Sequence, residues 1–349
     1  MQAAVAARGI RLRPHAKTHK SPVIARWQID AGAVGICCAK IGEAEVFAAQ
    51  GLEDIRLPYP VHPSTARRIA ALMEQARVSI IVDHLAVARG WSDEMTRMGR
   101  RLEVLVKVDV GFHRCGIDPH SSTALDFIRE VSRMSGLTLR GLLSHAGHGY
   151  GASSETELKA IAEAEARLLN ELAAAARHDG IALEEISVGA TPTARFSLEQ
   201  PGITEMRPGN YVYYDRTQVA LGSASMNECA LTVLATVVSK PAADRIILDC
   251  GSKTLTTDLG RGAASQGYGA VLTDPEREIE DSGLVIERLS EEHATVRVTS
   301  GSTALEPGDR VRVLPNHSCV VSNLVDCIRL VEHGTIVETL PVSARGKIW

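Results

Sequence analysis

The sequence predicts an α/β protein: a closed, TIM-like (β/α)8 barrel of parallel strands, followed by a smaller and mainly antiparallel β-domain. Two observations carry this. Across residues 1–216, short β-branched or apolar runs alternate eight times with longer helical stretches, and the runs tend to end in a polar or glycine-bearing loop. Beyond residue 217 the helical period stops, and strand-like runs follow one another with prolines and glycines between them. Eight strand-helix alternations point to a parallel sheet closed on itself, not an open one. A chain of 349 residues can house a barrel of about 200 to 250 residues and a smaller partner, each with its own core. The expected domains are therefore residues 1–216 and 217–349.

The barrel strands are read at residues 9–15, 33–38, 55–59, 78–83, 102–108, 139–145, 185–189 and 204–207. Helices are expected at 64–75 and at Glu155–His178, the latter rich in Ala, Glu and Leu with an apolar stripe at helical spacing. In the second domain the strands fall at 230–238, 245–249, Ala294–Val298 and Arg310–Leu314. Pro241, Gly251, Pro275, Gly283 and Pro307-Gly308 are expected to supply the turns.

Composition excludes several roles. With 45% hydrophobic and 23% charged residues and a formal net charge of −4, nothing marks a nucleic-acid partner. No apolar run approaches the roughly 20 residues of a membrane span, and the first residues lack the blocks of a signal peptide. The cytoplasm is the expected location. The 7 cysteines are scattered, without a C-x-x-C pair, which favours reduced thiols over a disulfide framework.

Barrel chemistry sits at the carboxyl ends of the strands, and phosphate is often held by the loops after the seventh and eighth. The seventh run passes into Gly189-Ala190-Thr191-Pro192-Thr193 and the eighth into Arg207-Pro208-Gly209-Asn210-Tyr211. Glycine lets backbone amides approach a phosphate and hydroxyls add donors, although small-residue turns are also common without any ligand. The first run ends in RPHAKTHK at 13–20, a basic segment that implies an anionic cofactor. A lysine among cations in a low-dielectric mouth is disfavoured in its charged form, which frees its amine to form an imine with an aldehyde. A solvated basic loop is the plain alternative. The sixth run closes in His145, His148 and Tyr150, candidate acid-base groups or simply hydrogen-bonded loop residues. Adjacent Cys37-Cys38 read as packing more readily than as reactive thiols. His317 and Cys319 lie two apart after a strand and can reach one ion if both project from the same face. Imidazole plus thiolate suits zinc, with the remaining positions left to water, substrate or another residue; a chance pair is the alternative.

Taken together, RPHAKTHK, GICCAKIGEA at 35–44, HAGHGY at 145–150, SVGATPT at 187–193, RPGNYVYYD at 207–215 and PNHSC at 315–319 are recognisable. They resemble the D-threonine aldolase and D-serine dehydratase family of alanine racemase-like, fold-type III pyridoxal-phosphate enzymes, over essentially the whole chain. The resemblance implies pyridoxal 5'-phosphate held covalently by Lys17. It implies Arg207 facing the pyridine nitrogen, and Gly189, Thr191, Gly209, Asn210 and Tyr211 about the phosphate. It further implies His317 and Cys319 as the ligands of a divalent metal, zinc before manganese or magnesium, and His145 as a base for the substrate hydroxyl. A homodimer and a small D-amino acid substrate follow from the same likeness. Family members carry a further strand ahead of the helix at residues 1–8, which would leave the β-domain of this chain short of an edge.

The activity implied is cleavage of a D-3-hydroxy amino acid, with a retro-aldol course to glycine and an aldehyde as the leading expectation. Dehydration to a 2-oxo acid and ammonia is the alternative, because HAGHGY and the cysteine of PNHSC look dehydratase-like whereas GICCAK, SNLVD at 322–326 and SARG at 343–346 look aldolase-like. A non-catalytic carrier of the cofactor is a third reading, against which the β-domain and its metal pair argue. Racemisation would need a second base that the sequence does not identify.

Overall fold

Eight parallel strands form the sheet of the first unit in the order β1-β8-β7-β6-β5-β4-β3-β2. They are β1 Arg11–Leu12, β2 Ile36–Cys37, β3 Asp54–Pro60, β4 Arg77–Val82, β5 Leu102–Lys107, β6 Leu137–Leu143, β7 Glu185–Val188 and β8 Glu205–Met206. A parallel bridge between His15 and Cys37, with the Cys37 N–H donating to the Pro14 carbonyl at 2.8 Å, joins β1 to β2 and closes the ring. All eight expected strands are present. Strands β1 and β8 are short because Pro14 and Pro208 lack the N–H that would extend the ladder. The structure is a computed structural model, describing residues 1–260, 266–274 and 279–349. Among these no helix is long and apolar enough to cross a membrane.

Both faces of the barrel strands are covered, so alternation separates two kinds of buried residue. On β3, Ile55 and Leu57 are buried apolar neighbours of Arg56, which is itself 1% exposed. Arg56 donates to Glu185 at 2.7 Å and to Ser79 at 2.9 Å, and it also reaches Glu205. Arg13 donates to the other oxygen of Glu205 at 2.8 Å and to Asp54 at 2.5 Å. These arginines and carboxylates form a paired, hydrogen-bonded network among the strands, as buried charge requires.

The helix Glu155–His178 has its expected bounds. Ser154 caps it, its hydroxyl accepting from the Glu157 N–H, and Leu158, Ala162, Leu169, Leu172 and Ala176 bury its apolar stripe. The helix expected at 64–75 is a 3-10 turn, Pro63–Thr65, running into Ala66–Leu72.

In the second unit six antiparallel strands close a smaller barrel in the order β10-β13-β12-β11-β14-β9. They are β9 Val233–Ala242, β10 Arg245–Leu248, β11 Ala270–Asp274, β12 Ile279–Leu289, β13 Ala294–Val298 and β14 Arg310–Leu314. Val237, Ile246, Leu248, Val271, Ile286, Val296 and Val313 fill its core. Within this barrel each strand is paired on both sides. Strands β11 and β12 were not anticipated, nor was the hairpin of β15 Cys327–Glu332 and β16 Thr335–Pro341. Gly283 lies inside β12 instead of at a turn, its carbonyl accepting from Thr299 at 2.8 Å. Pro241 likewise lies near the end of β9, where a missing N–H is tolerated. Pro275 falls outside the described residues. Backbone packing divides the chain into Met1–Gly209 with Lys347–Trp349, and Asn210–Gly346.

Candidate active site

In the first unit the loop after β1 sets Lys17 at the carboxyl end of the barrel, its Nζ donating to the Tyr59 hydroxyl at 2.7 Å. Lys20 lies on the same loop but is committed elsewhere, since its Nζ is 3.0 Å from Glu43 with both groups buried. His15 is buried and held well below its ordinary pKa, first by burial and then by the cations of Lys17 and Arg207. Its Nδ1 accepts the Lys17 N–H at 3.3 Å, so its proton sits on Nε2, a buried donor with no partner among the described residues.

After β6, His145 points Nδ1 at the carbonyl of Gly189 at 2.6 Å. A carbonyl only accepts, so Nδ1 carries the hydrogen and Nε2 keeps its lone pair. Burial first, then Lys107 and Lys17, holds this imidazole well below its ordinary pKa and therefore neutral. Arg207 follows β8, 5% exposed, with Nε donating to Ser187 at 2.7 Å and Nη2 to the Ser144 carbonyl. Among the described residues no carboxylate lies within ion-pair distance of it.

Two glycines let these loops pack closely. A methyl at Gly209 would come within 2.9 Å of His15 Cβ and 3.0 Å of Thr18 Oγ1, and one at Gly189 would press on Arg207 at 3.2 Å. Thr191 is 4% exposed and its hydroxyl has no hydrogen-bond partner among the described residues. Two unpartnered buried donors, an uncompensated arginine and an accessible amine suit an anionic aldehyde cofactor.

In the second unit His317 and Cys319 stand at the start of the helix Ser318–Ser322. His317 Nδ1 lies 2.8 Å from Asp258. Burial lowers its pKa, but the Cys319 thiol and the carboxylates of Asp215 and Asp258 outweigh it and bring it up to about 9. Cys319 also receives the Asn210 amide at 3.5 Å. An imidazole and a thiol in contact, with Asp258 on the imidazole Nδ1, are donor chemistry that would suit a divalent ion. Among the described residues no cluster of three or more His, Cys, Asp or Glu forms a fuller set.

The alanine racemase N-terminal domain model matches residues 1–217, and the model described as "Putative serine dehydratase domain" matches residues 230–331. A D-threonine aldolase of Arthrobacter sp is 33% identical over 355 residues, covering 99% of this chain and 88% of that protein. The solved D-threo-3-hydroxyaspartate dehydratase from Delftia sp. HT23 superposes with a TM-score of 0.92 at 31% identity, covering 97% of this chain and 92% of that one. For the D-threonine aldolase from Filomicrobium marinum the TM-score is 0.87 at 28% identity, covering 100% and 92%. The chain belongs to the D-threonine aldolase and D-serine dehydratase family.

This is a family of pyridoxal-phosphate-dependent, fold-type III lyases, and the residues expected of such a protein fall into two groups here. Lys17, His145, Gly189, Thr191, Arg207 and Gly209 all lie at the carboxyl ends of the first unit's strands. Asn210 and the half-buried Tyr211 open the second unit in a 3-10 turn. The Asn210 amide nitrogen is spent on Asp215 at 2.6 Å and Ser318 at 3.1 Å, which leaves its backbone N–H as the donor it can offer a phosphate. His148, also expected as an acid-base group, is half-buried in the turn Gly147–Gly151, with burial lowering its pKa and Asp109 opposing. Cys37 and Cys38 are buried with their thiols pushed up by burial, Cys37 to about 11, as packing groups would be. Sequence reasoning missed Tyr59 and Asp258. A tyrosine at the carboxyl end of a barrel strand was a usable signal for the first. The second had none, because its proximity to His317 exists only in the fold.

Proposed function

We propose that this chain is a pyridoxal-phosphate- and divalent-metal-dependent lyase of D-3-hydroxy amino acids, with retro-aldol cleavage of D-threonine to glycine and acetaldehyde as its leading activity. The observation that carries the reading is His145: a half-buried, neutral imidazole whose Nδ1–H is fixed on Gly189, leaving Nε2 to take a hydroxyl proton. Lys17 would hold the cofactor, with Arg207, Gly189, Thr191 and Gly209 about it and the Asn210-Tyr211 turn contributing backbone. When bound, the cofactor supplies an electron sink for the pair released at the amino acid's Cα. His317 and Cys319 would hold the ion, zinc by donor chemistry with manganese or magnesium as substitutes, and it supplies a Lewis acid for oxygen. Arg207 offers a buried guanidinium whose orientation Ser187 and Ser144 fix. A homodimer acting in the cytoplasm completes the proposal.

Dehydration is the second reading, supported by the thiol at position 319 and by 35% identity to the D-threo-3-hydroxyaspartate dehydratase of Delftia sp.. In that course Lys17 takes the Cα proton. One assay separates the two: protein loaded with cofactor and zinc is given D-threonine and D-serine. Glycine with acetaldehyde and no 2-oxobutyrate selects the aldolase, and 2-oxo acid with ammonia selects the dehydratase. No turnover of either, or a crystal with both groups bound in which Lys17 shares no cavity with His317 and Cys319, overturns the proposal.

A further inference from the structure

Tyr59 is hydrogen-bonded to the amine on which the proposed chemistry turns. It ends the barrel-lining part of β3, half-buried, with its hydroxyl 2.7 Å from Lys17 Nζ. Three contacts hold the ring in place. The His15 imidazole meets its edge with centroids 5.6 Å apart, the Arg114 guanidinium lies 5.2 Å from its centroid, and Lys17 Nζ lies 5.5 Å from it. A phenol so fixed keeps its oxygen on Nζ while its partial exposure opens it to water.

Lys17 must lose a proton before its amine can attack an aldehyde carbon, and must regain one when it is displaced by substrate. His15 cannot serve, because its unprotonated Nδ1 is turned to the Lys17 backbone N–H. The Nδ1 of His145 is occupied by Gly189, and its Nε2 is the atom proposed for the substrate hydroxyl. We propose that Tyr59 is a catalytic residue that relays protons between Lys17 Nζ and solvent. A neutral phenol passes a proton on only by giving one up. As the Nζ–H bond breaks and a new O–H bond forms on Tyr59, the original O–H breaks and its proton goes to water. Ammonium becomes amine, water becomes hydronium, and Tyr59 stays a neutral phenol; the reverse relay restores the ammonium. This rests on Lys17 being the residue that holds pyridoxal phosphate.

Tyr59→Phe keeps the ring and its contacts with His15 and Arg114 while removing the oxygen that meets Lys17. Cofactor-loaded protein is mixed with glycine, which has no β-hydroxyl to cleave, and displacement of Lys17 is followed by stopped flow as a change in visible absorbance. The variant should be slowed about a hundredfold, the usual scale of a lost proton-transfer group. A rate within a factor of about two of the unmodified protein overturns the relay. Should the variant fail to fold, the unmodified protein decides the matter in mixtures of light and heavy water. A bowed dependence of rate on deuterium fraction supports two protons in flight, and a straight one overturns it. Borohydride reduction and peptide mapping keep the two readings apart. Label on any other lysine overturns both, whereas label on Lys17 with an unchanged Tyr59→Phe rate overturns the relay alone.

Discussion

Lys17 and Lys20 belong to one basic run, and only their surroundings tell them apart. Lys20 adopts a left-handed backbone, φ 51°, and its ammonium is buried against Glu43. Lys20→Met should cost about 3 to 5 kcal/mol in urea unfolding, because it strands the Glu43 charge in the interior. Lys17→Met should leave stability nearly untouched and abolish the visible absorbance of bound cofactor. Asp258 orients His317, so Asp258→Ala should weaken zinc binding about 10- to 100-fold by competition with a chelator. Lys107, 3% exposed at the end of β5, is pushed down to about 7, by burial first and then by Arg207. A lysine whose folded pKa lies below its unfolded value binds fewer protons in the folded chain across the window from about 7 up to its ordinary pKa of about 10.4. Stability of the cofactor-free protein should therefore rise with pH over that window. Lys107→Met should flatten the rise, read as unfolding free energy against pH.

The strands and the longest helix were legible because their signals are local. Glu155–His178 shows its cap, its stripe and its basic end within its own residues, and Ser154→Ala should cost about 1 kcal/mol of stability without altering cofactor absorbance. Within the buried stripe, however, stands Glu165, which accepts the Ser144 hydroxyl at 2.5 Å beside His145. A glutamate on an apolar face is a visible anomaly in sequence, but its partner is not. Strand β12 was missed for the opposite reason. Glu280, Asp281 and Gly283 break its apolar pattern, and pairing with β11 and β13 overrides that weak propensity.

The residues proposed for the cofactor and those proposed for the metal fall in different compact units, with Lys17, His145 and Arg207 in one and His317 and Cys319 in the other. Chelation should therefore stop turnover while leaving the visible absorbance of the cofactor in place; loss of absorbance with the metal would contradict that separation. The two-part architecture, the order of the strands and the place of the basic segment after the first strand could all be read along the chain, since hydrophobic period and turn chemistry act between near neighbours. Charge pairing acts across the fold. Arg13 finds one partner 41 residues away and another 192 away. Which lysine keeps an available amine, which nitrogen of His145 carries its proton, and which carboxylate steadies His317 were decided only when barrel closure removed water from those groups and left each to the neighbours the fold supplied.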